Sequence, residues 1–309
     1  MKHFYSLNDY CRDEFGHKLY KLSLDAGMTC PNRDGKIGTG GCIFCSDSGS
    51  GEFSEKMCSD ICEQIENAKS RVAHKNKSGR YIAYFQSFTN TYAPVEYLRS
   101  IFTQAIEHKD IDVLSVATRP DCVGDEVVEL LAELNKIKPV WVELGFQTSD
   151  EKSAEYIGRG YKNEVFTDAV KRLNCAGIRV VAHIILGLPY ETGGQMKSSV
   201  RFVCDAGVWG IKLHLLHVLK GSRLETEYEK GAFRCMGEDE YLDTVCEMLE
   251  IIPQNVVIHR LTGDGDKKKL IAPLWSGDKK HVLAALNKKL SEKQIIQGSR
   301  YMNNNQIGG

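Results

Sequence analysis

Six short runs rich in β-branched and aromatic residues, most of them followed by a longer amphipathic stretch, leave this chain few architectures to choose from. The strand-like runs cover 19–24, 81–85, 113–117, 140–144, 179–186 and 210–216, and the helical stretches between them cover 55–76, 95–108, 124–137, 163–175 and 193–206. Alternation of this kind builds a parallel sheet with helices packed on its outside. Six units are fewer than the eight that close a barrel, so the expected fold class is α/β, a partial (β/α)6 TIM-like barrel. Segments 238–252, 256–259 and 279–290 are expected to pack as a C-terminal helix-strand-helix extension. The expected organisation is an N-terminal segment (1–17), a core (18–230) and a C-terminal extension (231–309). With 309 residues, 42% of them hydrophobic, and no low-complexity linker, the chain can bury one large core.

Active sites of such barrels gather at the carboxyl ends of the strands. Polar residues near the ends of the expected strands should converge there: Gln86, Thr118, Arg119, Glu143, Gln147, His183, Lys212 and His214. The loop after the first strand is the most unusual. Cys30, Cys42 and Cys45 stand in C-x11-C-x2-C spacing, with Phe44 directly before the last cysteine. Four glycines and a proline lie between Cys30 and Cys42, a backbone able to wrap a bulky guest and turn its N–H groups toward negative charge. Iron–sulfur clusters ordinarily take four thiolates, so three leave one iron with an open coordination site. The alternative occupant is a structural zinc ion, which wants a fourth ligand, here Cys58, Cys62 or a histidine such as His74. The chain would then be a non-enzymatic zinc-binding protein.

The cysteines number eleven, and the first ten residues carry charges and no long apolar run. Neither a disulfide framework, a secretory signal nor a membrane span is expected, and a reducing cytoplasm is the default location. Cys175, Cys204 and Cys246 fall in apolar helical patterns and read as small buried hydrophobes. Cys58 and Cys62, one helical turn apart, read as a helix face, although the same spacing would let them reach a metal together. The net charge of −1 is unevenly spread, because segment 253–300 carries ten Lys or Arg against four acids, leaving it at +6 and the remainder at −7. Such a segment is either a solvated helical face or a surface for a phosphate-bearing partner.

The three-cysteine loop, with its aromatic residue before the third ligand, resembles the cluster motif of the radical S-adenosylmethionine (SAM) superfamily. Five further blocks resemble that family's elongator-acetyltransferase-like branch, in order: Thr118-Arg119-Pro120-Asp121, Glu143 to Thr148, Gly158-Arg159-Gly160-Tyr161, His183 to Pro189, and Leu219 to Leu224. The resemblance implies a [4Fe-4S] cluster on Cys30, Cys42 and Cys45, S-adenosyl-L-methionine chelated at its open iron, and a reductant such as flavodoxin or ferredoxin. By position it implies Phe44 near the adenine, Gln147 on the ribose, Arg159 on the methionine carboxylate and Glu143 on the ribose or amino group. A guanidinium suits a carboxylate because it donates two parallel hydrogen bonds. Many members carry a Gly-Gly-Glu-like turn after the second strand to receive the methionine amino group. Here that turn reads Phe85-Gln86-Ser87-Phe88-Thr89-Asn90-Thr91 with no glycine, so its carbonyls, or the side chains of Gln86 and Asn90, are the expected acceptors.

The implied chemistry is one-electron cleavage of SAM to methionine and a 5′-deoxyadenosyl radical, with His183, Lys212 and His214 as candidate catalytic residues on the substrate wall. Short bacterial members resembling this chain are implicated in converting carboxymethylaminomethyl-uridine to aminomethyl-uridine at the tRNA wobble position. The resemblance thus implies a tRNA partner, met by the basic C-terminal segment. Within the same family, a small metabolite or porphyrin is the alternative substrate.

Overall fold

The computed structural model describes residues 2–301 except 47, 48, 50–53, 56–59, 75, 264 and 266. In chain order its elements are α1 (Leu7–Phe15), β1 (Tyr20–Leu24), α2 (Ile61–Val72), β2 (Tyr81–Phe85), α3 (Val95–Glu107), β3 (Ile111–Thr118), α4 (Asp125–Asn135), β4 (Val140–Gln147), α5 (Glu151–Tyr156), α6 (Asn163–Cys175), β5 (Arg179–Leu186), α7 (Gly193–Asp205), β6 (Gly210–Leu215), β7 (Val218–Leu219), α8 (Arg223–Glu229), α9 (Glu238–Ile251), β8 (Val257–Arg260), β9 (Leu270–Ala272) and α10 (Lys279–Glu292). Strands β1 to β6 lie side by side in sequence order and all parallel, curled into a half-barrel. Outward-facing residues such as Leu22, Ala83, Leu114, Val142 and Ala182 are buried in one continuous core with the apolar faces of the helices. The expected partial barrel is therefore the observed one.

Two elements differ from the sequence expectation. Helix α2 begins at Ile61, because Asp60 caps it and accepts a hydrogen bond from the Glu63 N–H at 3.0 Å. The strand of the C-terminal extension does not stand apart. It pairs in parallel with β6 as a seventh strand of the main sheet, the Val257 N–H donating to the Trp209 carbonyl at 2.9 Å. Helix α9 packs on α7, and α10 on α9. Cys204 and Cys246 are buried as expected, but Cys175, the last residue of α6, is exposed. Cys58 lies outside the described residues.

The amino-terminal end of the half-barrel is sealed by α1. Ser6 caps this helix, and its Tyr10 points into the strand interior, edge-on to Trp209 at 4.8 Å and to Trp141 at 6.0 Å. The Arg179 guanidinium lies over the Tyr10 ring at 5.0 Å. Cys11, Leu19, Ile82, Val113 and Val257 complete this second, smaller core. His259 fits between Trp141 and Trp209 because position 210 is glycine; a Cβ there would stand 2.8 Å from the imidazole Nε2. Residues on either side of α1 and α10 lace the seal shut. Gln297 accepts from the Tyr5 N–H at 2.8 Å and donates to the Val256 carbonyl at 2.8 Å, while the Ile258 N–H donates to the Tyr5 carbonyl at 2.8 Å. Among the described residues, no helix is long and apolar enough to cross a membrane.

Tyr10→Ala should remove the centre of this seal and cost about 3–5 kcal/mol of stability, the usual range for truncating a buried aromatic. Chemical denaturation would show it; a loss below about 1 kcal/mol would mean that α1 does not seal the barrel.

Candidate active site

At the carboxyl ends of the strands a cavity of about 460 Å³ opens, in the range of small-molecule sites. Cys30, Cys42, Phe44 and Cys45 form one wall; Gln86, Thr118, Arg119, Gln147, His183 and His214 line others, with Tyr84, Glu143 and Lys212 among the remaining lining residues. The cavity is thus where the strand-end residues were expected to meet, and all eight of them line it.

The cysteine loop is held by its own backbone. The Arg33 N–H donates to the Cys30 carbonyl at 2.8 Å, the Ile37 N–H to Pro31 at 2.8 Å and the Gly41 N–H to Asn32 at 2.7 Å. Gly41 has a left-handed φ of 68°, and a Cβ there would meet Arg33 Nε at 2.9 Å, so this turn requires glycine. The Asn32 amide donates to the Gly158 carbonyl at 2.6 Å and lies 3.6 Å from the Cys42 sulfur. The Ile43 N–H donates to Ile157, and its carbonyl accepts from Leu224, both at 3.0 Å, which fixes the loop to α5 and α8. Burial, with Cys45 and Cys30 nearby, pushes the Cys42 thiol up to about 12. Without a guest the Cys42 thiol stays protonated; a metal would take its thiolate form.

The donor set fits an iron–sulfur cluster better than one zinc ion. Among the described residues, the group of three ligand atoms all within 4.8 Å of one another is Glu66, His108 and Asp110, away from this cavity, whereas the three cysteine sulfurs do not converge on one point. Separate irons of a cluster would take them singly. Cys62 is exposed on α2, outside the cavity wall.

Deep in the cavity, Glu143 is fully buried. Its carboxylate accepts from Lys21 at 2.5 Å, Ser115 at 2.8 Å, His183 at 2.8 Å and also from Lys212. Lys212 donates further to the Tyr84 hydroxyl at 3.2 Å, and both ammonium groups lie over the Tyr84 ring, at 4.4 and 4.6 Å. Burial alone would raise the Glu143 carboxyl, but Lys21, Lys212 and His183 outweigh it and hold it well below the usual range. Burial and the neighbouring Lys212 push His183 down to about 4, against the pull of Glu143. The sequence reading did not single out Lys21. Its signal was the alternation in β1, where Leu22 and Leu24 face the helices and leave Lys21 and Ser23 inward.

Two expected SAM contacts are not on the cavity wall. Arg159 is buried, and its guanidinium donates to the Tyr161 carbonyl at 2.9 Å, the Thr148 carbonyl at 2.7 Å and Asn163 Oδ1 at 3.0 Å. It ties the end of β4 to the next loop. Asn90 is also buried, its amide donating to Ala117 at 2.9 Å and Phe85 at 3.1 Å across the ends of β2 and β3. Arg119 does reach the wall, held by both carboxylate oxygens of Asp121 at 2.9 and 2.7 Å and stacked on Tyr161 at 5.1 Å. Gln86 accepts from Ser23 Oγ at 3.1 Å. Gln147 sits at a bulge of β4 with φ 67° and lines the cavity.

Residues 33–203 match the family model described as the radical SAM superfamily, and residues 208–292 that of the radical SAM C-terminal domain. YtqA of Bacillus subtilis (strain 168) is 46% identical over 297 residues, spanning 96% of this chain and 92% of that one. The chain belongs to the radical SAM superfamily, and it is an enzyme of that class. Among solved structures, the fold matches the archaeal Methanocaldococcus infernus Elp3 with a TM-score of 0.69 at 16% identity, covering 90% of this chain and 64% of that one. A tRNA uridine(34) acetyltransferase of Methanocaldococcus jannaschii is 25% identical over 197 residues, 63% of this chain and 35% of its own length.

Glu143→Gln should leave two ammonium groups facing each other without a counter-charge and destabilise the fold by about 3–5 kcal/mol near neutral pH. In the wild type, the depressed carboxyl contributes stability above its unfolded value of about 4.3, lost as pH falls toward its native value. The depressed imidazole of His183 adds a loss beginning as pH falls below about 6.5. Urea unfolding across acid pH should therefore show a steep decline that Glu143→Gln flattens below about pH 4.3; an unchanged acid limb would refute the assignment.

Proposed function

We propose that this radical SAM enzyme acts on the wobble uridine of tRNA, at the step from carboxymethylaminomethyl-uridine to aminomethyl-uridine. The observation that supports the reading is where the basic C-terminal segment meets the cavity. Gly263 and Gly265 line its mouth, and Lys267, Lys268 and Lys269 follow directly, with the Lys269 carbonyl accepting from the Lys220 N–H at 2.8 Å. Further along the segment, several basic side chains pair with nearby acids. Lys289 pairs with Asp243 at 2.8 Å and Asp239 at 3.2 Å, Lys293 with Asp243 at 2.7 Å and Arg300 with Glu250 at 3.3 Å. The lysine loop follows the glycines at the mouth, where a phosphate backbone would flank a base entering the cavity. The acetyltransferase relative is named for uridine 34 of tRNA, which agrees with this substrate.

When bound, the cluster and SAM supply the one-electron chemistry, as cofactors do. Cys30, Cys42 and Cys45 would hold the cluster, and Phe44, Gln86 and Gln147 would border SAM. Arg119, which lines the wall as Arg33 and Arg260 do, would take the methionine carboxylate in place of Arg159, while Glu143 is committed to the lysines. The seal by α1 keeps water from entering through the base of the barrel.

Cys42→Ala should lose most of its iron and all reductive cleavage of SAM; full cleavage by the variant would defeat the cluster assignment. tRNA from cells lacking this gene should accumulate carboxymethylaminomethyl-uridine, and an unchanged nucleoside profile would move the substrate to a small metabolite. Replacing Lys267, Lys268 and Lys269 by Gln should weaken tRNA retention and lower the slope of log affinity against log salt by about 2–3, one phosphate contact per lysine.

A further inference from the structure

The floor of the cavity carries more positive charge than it neutralises. Among its described lining residues Glu143 is the sole carboxylate, and both Lys21 and Lys212 converge on it, two ammonium groups against one negative charge. Ser115 and His183 also point their hydrogens at the same carboxylate, so its acceptor capacity is filled. Beside them, the His214 ring lies 5.1 Å from His183 and turns a buried Nε2 that has no partner toward this interior. A surplus buried charge is costly unless an anion meets it. An imidazole nitrogen left without a partner in the same place marks a second unmet hydrogen bond.

We propose that Lys212 and His214 form a subsite for a carboxylate on the substrate. Burial, with Lys21 and Arg260 nearby, holds Lys212 well below its ordinary value, so a carboxylate beside it would favour its charged form. The floor also lies beyond the rim where phosphates of a polynucleotide would meet the lysine loop. SAM's own carboxylate would instead find Arg119 on the wall. The identity of the guest rests on the tRNA reading, in which the side chain of carboxymethylaminomethyl-uridine ends in a carboxylate. Anchored at the floor, that side chain would direct its methylene carbons up toward the cysteine wall.

Lys212→Met removes the ammonium and its bonds to Glu143 and Tyr84 but leaves the Lys21–Glu143 pair, so His214→Phe, which touches neither, is made beside it. The reconstituted enzyme would be given tRNA bearing the carboxymethylaminomethyl group or its methyl ester, and kcat and KM measured from modified nucleosides. The wild type should prefer the acid by about tenfold or more in kcat/KM, the cost of leaving a buried donor unmatched. Lys212→Met should bring the acid down to the level of the ester, chiefly through KM, with SAM affinity unchanged. Equal use of acid and ester by the wild type, or persistent preference in the variant, would overturn the subsite. A second arm needs no tRNA: glycine, but not glycinamide, should raise the melting temperature of the wild type and not of Lys212→Met or His214→Phe. If neither tRNA is turned over while glycine alone stabilises the wild type, the tRNA reading fails and the subsite stands; equal shifts by glycine and glycinamide remove the subsite.

Discussion

A carboxylate shared by two ammonium groups in the middle of an open barrel is the constraint on which this structure turns. Glu143 stands on β4, Lys21 on the edge strand β1, Lys212 on β6, Ser115 on β3 and His183 on β5. A half-barrel has two free edges and nothing in its hydrogen-bond ladder to fix the curl. The Lys21–Glu143–Lys212 bridge ties three separated strands across the interior, where low polarity strengthens every Coulomb contact relative to the surface. Desolvating three charges is expensive, and a hydrophobic filling of equal volume would serve stability as well. Retaining them therefore speaks for a polar cavity whose shape and charge are used.

The interior is arranged in three levels along the strands. At the amino-terminal end, Tyr10, Trp141, Trp209 and His259 form a dry aromatic base. Above it lies the charged level around Glu143 and Tyr84, and above that the cysteine loop and the strand-end residues. Each level suits a different demand on a radical enzyme. The base is closed by packed rings, the middle concentrates charge, and the top, a glycine-rich backbone pinned by Asn32 and Ile43, would hold a bulky cofactor.

Much of this was legible in the residues alone. Strands announced by short β-branched and aromatic runs, such as 81–85 and 179–186, fall where expected because a parallel sheet covered by helices buries most positions of its strands. The cysteine loop was readable because its spacing and glycines have few other uses. Side-chain direction was not. Arg159 sits between Gly158 and Gly160, both at positive φ, and this turn aims its guanidinium at backbone carbonyls behind the wall. Sequence position places a residue on a loop but cannot say which way the loop rotates it. The membership of β8 in the main sheet was hidden for another reason: a four-residue strand carries too little pattern to declare its partner, and only the packing of α9 on α7 brings it beside β6.

The lacing at the barrel base has a bearing on how the molecule is made. Residues 3–6 bond to 258 and 295–297, among the longest sequence separations in the fold. Contacts of such high order close last, since their loop entropy must be met before they return anything. During synthesis the six-strand core can assemble as it leaves the ribosome, but its floor stays open to water until the final turns have emerged. A nascent enzyme of this design would thus be complete in its cofactor loop well before it is watertight, and loading of an oxygen-sensitive metal centre is best timed after the two chain ends have met.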